Sequence, residues 1–247
     1  MNICLFKQEE INQPLSIKDQ RGEHIIKILH KKEGDTFSAG IINGKAGIAV
    51  IKKIDEQGIH FSFKPETEGK PLYPLKMIIG FPRPIQLKRL LRDIAALGVC
   101  EVHLTGTELG EKSYMQSNLV EHGTAYQMLV DGTVQAASTH VPELYLHKTL
   151  PECLSYIEEN SGTNELKLCL DNVNPCGSLM NVFNLQEKSP DCVIAAIGSE
   201  RGWTQKEREL LEKAGYLRVG MGPRVMRTET AATVSASIIG ACMGWLS

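Results

Sequence analysis

From Leu75 onward the chain alternates between solidly apolar runs and longer stretches of mixed polarity. The apolar runs are LKMIIGF (75–81), VCEVHLTG (99–106), ELYLH (143–147), LKLCLD (166–171), CVIAAIG (192–198) and YLRVGMG (216–222). Short apolar runs bounded by turn residues read as strands buried on both faces. Between them, Gln86–Leu97, Leu119–Ala137, Pro151–Glu159, Gln205–Ala214 and Thr228–Leu246 read as helices. Alternation of this kind predicts an α/β domain with a mostly parallel sheet covered on both faces, in which ligands bind beyond the carboxyl ends of the strands.

The first 70 residues follow a different period. FSAGIINGKAGIAVIKKIDEQGIHFSF alternates apolar and polar residues around an Asn43-Gly44 turn, the mark of β-hairpins. RGEHIIKILHKKEGD reads as a short helix or turn stopped at Gly34-Asp35. Lys64 to Pro74 is polar and rich in Pro and Gly, which predicts a linker. Two domains are therefore expected, a β-rich module over 1–70 and an α/β domain over 71–247.

Composition narrows the function classes. With 42% apolar and 23% charged residues the chain is an ordinary globular protein, and a net charge of −2 excludes a basic coat that would bind nucleic acid nonspecifically. A local basic patch remains. Seven cysteines, an odd number without any CxxC, read as reduced core residues of a cytoplasmic protein, and no metal site is expected. MNICLFKQEE lacks the basic start and apolar centre of a signal peptide. The run from Ala231 to Leu246 is shorter than the roughly 20 residues of a membrane span and rich in Ser and Thr.

Two segments carry candidate chemistry. In the first, a strand ends at Gly198 and Ser199-Glu200-Arg201-Gly202 follows. Thr204 then stands three residues before Glu207, a capping box, and Gly215 closes the helix. The glycines allow a tight turn and close approach of a ligand to backbone. The segment is neither a GxGxxG dinucleotide signature nor a GxxxxGK[ST] phosphate loop. In the second, Gly220-Met221-Gly222-Pro223 leads through Arg224 and Arg227 to Thr228, read as an N-cap, and then to a helix of small residues suited to close packing.

IGSERGWTQKERELLEKAGY and VGMGPRVMRTETA resemble the C-terminal signature of the ribosomal RNA small-subunit methyltransferase E family, most specifically over Gly222 to Ala231. HIIKILHKKEGD is similar to that family's HHL-x-VLR-x-x-x-GD segment, and DIAALGVCEVHLT to its KATELGV segment. The chain departs from the pattern at Ser199 and Arg201 of the first loop, at His30, at Ala96, and at Val134, Ala136 and Ser138.

The resemblance implies a SPOUT-type domain with a deep trefoil knot, an N-terminal PUA-like β-barrel that holds RNA, and a homodimer. It implies S-adenosylmethionine as methyl donor and N3 of a uridine in 16S rRNA of the small ribosomal subunit as acceptor. Residues expected to bind the cofactor are Leu170, Ile197, Gly198, Glu200, Gly202, Val219, Met221, Gly222, Val225, Met226 and Thr228. Arg224 and Arg227 would position phosphate or a uracil carbonyl, while Glu229 or Glu200 would orient them or accept the proton. Arg21, His24, Lys27, His30 and Lys31 would face RNA. Two alternatives stay open: another RNA target, or a knotted RNA-binding protein without activity.

Overall fold

The computed structural model describes residues 2–117, 123–186 and 188–246. The chain divides into two compact units, Met1–Pro71 with Val130–Val141, and Leu72–Leu129 with Pro142–Ser247.

In the first unit, strands β1 (Cys4–Phe6), β2 (Thr36–Ile41), β3 (Ala46–Asp55) and β4 (Gly58–Thr67) form one sheet in that order. β1 runs parallel to β2, and the other pairs are antiparallel. The Asn43-Gly44 turn joins β2 to β3, with Asn43 in the left-handed region at φ 56°. β4 extends three residues past the expected start of the linker at Lys64, which shortens that linker. The reason lies opposite: a side chain on Gly47 would sit 2.1 Å from the Lys64 carbonyl oxygen, so glycine alone lets the proline-bearing strand end pair there. The helical segment also stops early. α1 (Gln20–Glu23), capped by Asp19, passes into a π-helical turn over His24–Ile28. His30 at φ 52° ends it, and Lys32 N–H donates to Asp35 Oδ2 at 2.8 Å in the next turn. Phe6, Ile25, Ile51 and Ile59 fill the core. Val130–Val141 is tied in by Asn43, whose N–H donates to the Thr139 carbonyl at 2.8 Å and whose Oδ1 accepts from Val141 N–H at 2.8 Å.

Arg21 is committed within this unit. Its guanidinium bonds Glu10 Oε1 at 3.0 Å, Asp19 Oδ2 at 2.9 Å and the Leu5 carbonyl at 2.8 Å. These bonds hold the Glu10 and Asp19 carboxyls below their ordinary values of 4.5 and 3.8. Carboxyls with depressed folded values stabilise the fold above their ordinary values and lose that contribution as pH falls through the lowered ones. Urea midpoints of wild type and Arg21→Met should therefore differ at neutral pH and converge as pH falls below about 4. Equal midpoints at neutral pH would show that the cluster is energetically silent.

The second unit is built on a parallel sheet of order β7-β6-β5-β10-β8-β11-β9. Its strands are β5 (Tyr73–Gly80), β6 (Val99–Thr105), β7 (Glu143–His147), β8 (Glu165–Leu170), β9 (Gly177–Ser178), β10 (Cys192–Ile197) and β11 (Leu217–Gly220). The helices are α2 (Pro84–Ala96), α3 (Lys112–Met115), α4 (Thr124–Gln135), whose residues from Val130 belong to the first unit, α5 (Leu150–Glu159), α6 (Leu179–Asn184), α7 (Gln205–Lys213) and α8 (Thr228–Cys242). Of the helix expected over Leu119–Ala137, residues 119–122 lie outside the described ones.

α2 buries Leu87, Leu90, Leu91 and Ile94 and exposes Lys88, Arg89 and Arg92, the solvated face of an amphipathic helix. Each such burial contributes about 1.5–3 kcal/mol. α8 stops at Cys242, short of Leu246. Gly244 turns at φ 71°, and Trp245 stacks on Tyr73 at 5.1 Å while its carbonyl accepts the Tyr73 hydroxyl at 2.8 Å.

The seven cysteines are unpaired, but not all are core residues. Cys4, Cys153 and Cys169 are buried, whereas Cys176 and Cys242 are exposed, being placed in a loop and on an outer helical turn. Among the described residues no helix is long and apolar enough to cross a membrane.

Candidate functional site

Three strand ends and one helix start meet in the second unit. Leu170 and Ile197 end β8 and β10, Met221 and Gly222 follow β11, and Thr228 begins α8. They line a cavity of about 260 Å³ together with the turn from Gly198 to Trp203. That location, beyond the carboxyl ends of parallel strands, is where the alternating pattern places a ligand.

Backbone geometry sets its walls. The turn closes through Gly202 N–H donating to the Ser199 carbonyl at 2.8 Å, with Gly202 at φ 73°. A side chain on Gly198 would come within 2.8 Å of the Gly202 carbonyl carbon. Gly222 turns at φ 105° with open space around it, leaving its backbone accessible. Thr204 and Glu207 form the expected capping box, and Glu207 Oε1 also accepts Glu108 N–H at 2.9 Å.

Thr228 is not the N-cap of α8. Arg227 holds that position, and its side chain makes no capping bond. Thr228 is buried in the first turn, where its hydroxyl donates to the Gly198 carbonyl at 3.4 Å. An inward-facing threonine thus joins the two motif segments, a role that takes its hydroxyl away from the helix end.

Of the residues expected at the cofactor, Leu170, Ile197, Gly198, Glu200, Gly202, Met221, Gly222, Val225, Met226 and Thr228 line the cavity, as does Arg224. Val219 does not; it is fully buried within β11. Arg227 and Glu229 stand outside the lining. Among the described residues Arg224, Arg227 and Glu229 make no ion pair, so their charges are uncommitted. Glu200 is held by Arg83 Nε at 3.1 Å. In the first unit Lys27 pairs with Glu23 at 2.7 Å, and Lys27, His30 and Lys31 reach the surface.

Sequence reasoning missed Asp171 and Arg208. Both line the cavity, and Arg208 Nε donates to Asp171 Oδ2 at 2.5 Å with only 12% and 4% of their side chains exposed. The acidic residue closing LKLCLD was a signal for one partner, but nothing in the sequence ties it to an arginine 37 residues later. Ser199 is also buried on the wall, and its hydroxyl has no partner among the described residues.

Residues 68–240 match the model of the RNA methyltransferase domain. Ribosomal RNA small subunit methyltransferase E of Treponema pallidum is 40% identical over 97% of this chain and 90% of its own length. The chain belongs to the ribosomal RNA small subunit methyltransferase E family. Ribosomal RNA small subunit methyltransferase E 1 of Borreliella burgdorferi is 32% identical and covers 98% of both chains. In fold, the chain is similar to the family's enzyme from Neisseria gonorrhoeae, a crystal structure bound to S-adenosyl methionine. The TM-score is 0.74 over 98% of this chain and 97% of that one, at 17% identity.

Proposed function

We propose that this protein transfers a methyl group from S-adenosylmethionine to N3 of a uridine in 16S rRNA of the small ribosomal subunit. The observation that carries the reading is the cavity at the strand ends, which fits that cofactor. Leu170, Ile197, Val225, Met226 and Ala231 give apolar walls for a purine. The open space beside Gly202 and Gly222 lets a ligand come close to the main chain, and the unpartnered Ser199 hydroxyl offers a polar contact. The bound cofactor supplies a methyl group on a positively charged sulfur.

The protein's own groups then have two tasks. The first is alignment: in-line displacement needs donor and acceptor held in contact, and restricted geometry lowers such barriers by several kcal/mol, about 7–11 at best. The second is charge. Uridine N3 must lose its proton, leaving negative charge on the pyrimidine carbonyls. The guanidinium groups of Arg224 and Arg227 stabilise that charge by hydrogen bonds, or seat the adjoining phosphate. Glu229 orients them and accepts the proton, or Glu200 does so from its pairing with Arg83.

The finer architecture belongs to the same proposal. Residues 1–70 make a PUA-like barrel that binds RNA through His24, Lys27, His30 and Lys31, with Arg21 held back by Glu10 and Asp19, and 71–247 form a SPOUT domain. A trefoil knot is supported by β11, which slots between β8 and β9. The Asp171 and Cys176 N–H groups donate to the Val219 and Arg218 carbonyls at 3.0 and 2.9 Å, so loop 171–176 wraps the later strand. The enzyme works in the cytoplasm as a homodimer, which sedimentation measures directly.

Wild-type protein should bind S-adenosylmethionine by calorimetry and label one uridine in small subunits lacking the modification. Arg227→Ala should keep cofactor binding and lose turnover by about 100-fold or more, as for removal of an oxyanion donor. Full turnover in that variant removes Arg227 from the mechanism, and no binding by wild type overturns the reading.

A further inference from the structure

His103 on β6, His147 on β7 and Cys153 on α5 meet in the interior of the second unit, and all three are buried. His103 Nδ1 stands 3.1 Å from His147 Nε2, and these atoms and the Cys153 Sγ lie within 4.8 Å of one another. The second nitrogen of His103 is 3.0 Å from Glu101 Oε2. A carboxylate there keeps the proton on Nε2 and turns the Nδ1 lone pair inward, the arrangement that usually backs a metal-ligating histidine. The rings are held in place: His103 stacks on Tyr145 at 4.7 Å, and Tyr156 packs 5.4 Å from His147. Cys100 and Cys192 give their thiols to backbone carbonyls, but the Cys153 thiol has no hydrogen-bond partner among the described residues.

We infer that His103 Nδ1, His147 Nε2 and Cys153 Sγ form a binding site for a zinc-class divalent ion. Zinc takes nitrogen at about 2.0–2.1 Å and thiolate sulfur at about 2.3 Å, so tetrahedral neighbours stand roughly 3.3–3.6 Å apart. The two nitrogens, 3.1 Å apart, open by a few tenths of an ångström to that spacing, and the sulfur, within 4.8 Å, closes on it by about an ångström. Two imidazoles and one thiolate suit zinc better than calcium or magnesium, which prefer oxygen. Water completes the shell. On binding, the S–H bond of Cys153 breaks and its proton goes to solvent. The proton between the imidazoles moves to His147 Nδ1, so both rings bind neutral and one proton is released per ion. The ion would fasten β7, an edge strand of the sheet, to β6 and α5. None of these residues lines the cavity at the strand ends, so the site is separate from methyl transfer. Its ligands come from three elements with no compact spacing in the sequence.

The test uses the full chain, stripped with a chelator and titrated with Co²⁺. One equivalent should bind with a thiolate-to-cobalt charge-transfer band and the absorption of a tetrahedral ion, and Zn²⁺ should displace it. Cys153→Ser should lose the charge-transfer band, while Cys176→Ser/Cys242→Ser, which removes the exposed thiols, should keep it. No band in wild type, or a band that survives Cys153→Ser, overturns the site and leaves a hydrogen-bonded histidine pair. X-ray absorption of zinc-loaded wild type decides independently of any variant: two nitrogens and one sulfur support the site, and a sulfur-free shell overturns it.

Discussion

Gly198→Ala should bind S-adenosylmethionine at least a hundredfold more weakly than wild type, a loss of about 2.7 kcal/mol. The added methyl would lie 2.8 Å from the Gly202 carbonyl carbon and 3.0 Å from its Cα, and both are backbone atoms that no rotamer change can move. The turn would have to open, breaking the Gly202 to Ser199 bond and shifting the cavity wall with it. The Thr228 hydroxyl on the Gly198 carbonyl would carry the shift into α8. Gly202→Ala is the matching control. Its methyl has nothing within 4 Å, so it bears only the strain of a positive φ, about 1 kcal/mol. Calorimetry and thermal melts on both variants separate wall from fold. If Gly198→Ala binds as tightly as Gly202→Ala, the turn is not a wall of the cofactor site.

The largest stability effect is expected at Asp171. Removing its carboxylate by Asp171→Ala strands the Arg208 guanidinium in a largely buried place and should cost about 3–5 kcal/mol in denaturant unfolding. The double change Asp171→Asn/Arg208→Met removes both charges and should recover most of that loss, because the penalty comes from the unmatched charge. A double variant no more stable than Asp171→Ala would show that the bond, not the charge balance, is what the fold needs.

The strands of the second unit were legible because a strand buried on both faces must be apolar throughout, as CVIAAIG is. All six expected strands form within two residues of their expected ends. β1, β9 and α6 left no such trace. β1 and β9 span three and two residues, too short for a period to register, and exist because a neighbour supplies their hydrogen bonds. The glycine turns and the capping box of the site were readable, since glycine and cap chemistry are local. Its long-range pairings were not. Asp171 with Arg208, and Thr228 with Gly198, depend on which loops the fold brings together. The misplaced N-cap has the same origin: Thr228 is a good cap locally, but a buried carbonyl 30 residues earlier claims its hydroxyl.

The position of β11 also bears on how the chain is made. β8 and β9 are neighbours in sequence, yet both wait for a strand that begins at Leu217. A growing chain that has passed β10, ending at residue 197, but not residue 220 holds one open edge on β8 and leaves β9 without a ladder. Open strand edges are templates for pairing with other molecules. The interval between synthesis of residues 197 and 220 is therefore a period of exposure to misassembly, and the last strand ends it by pairing with β8 and β9 at once.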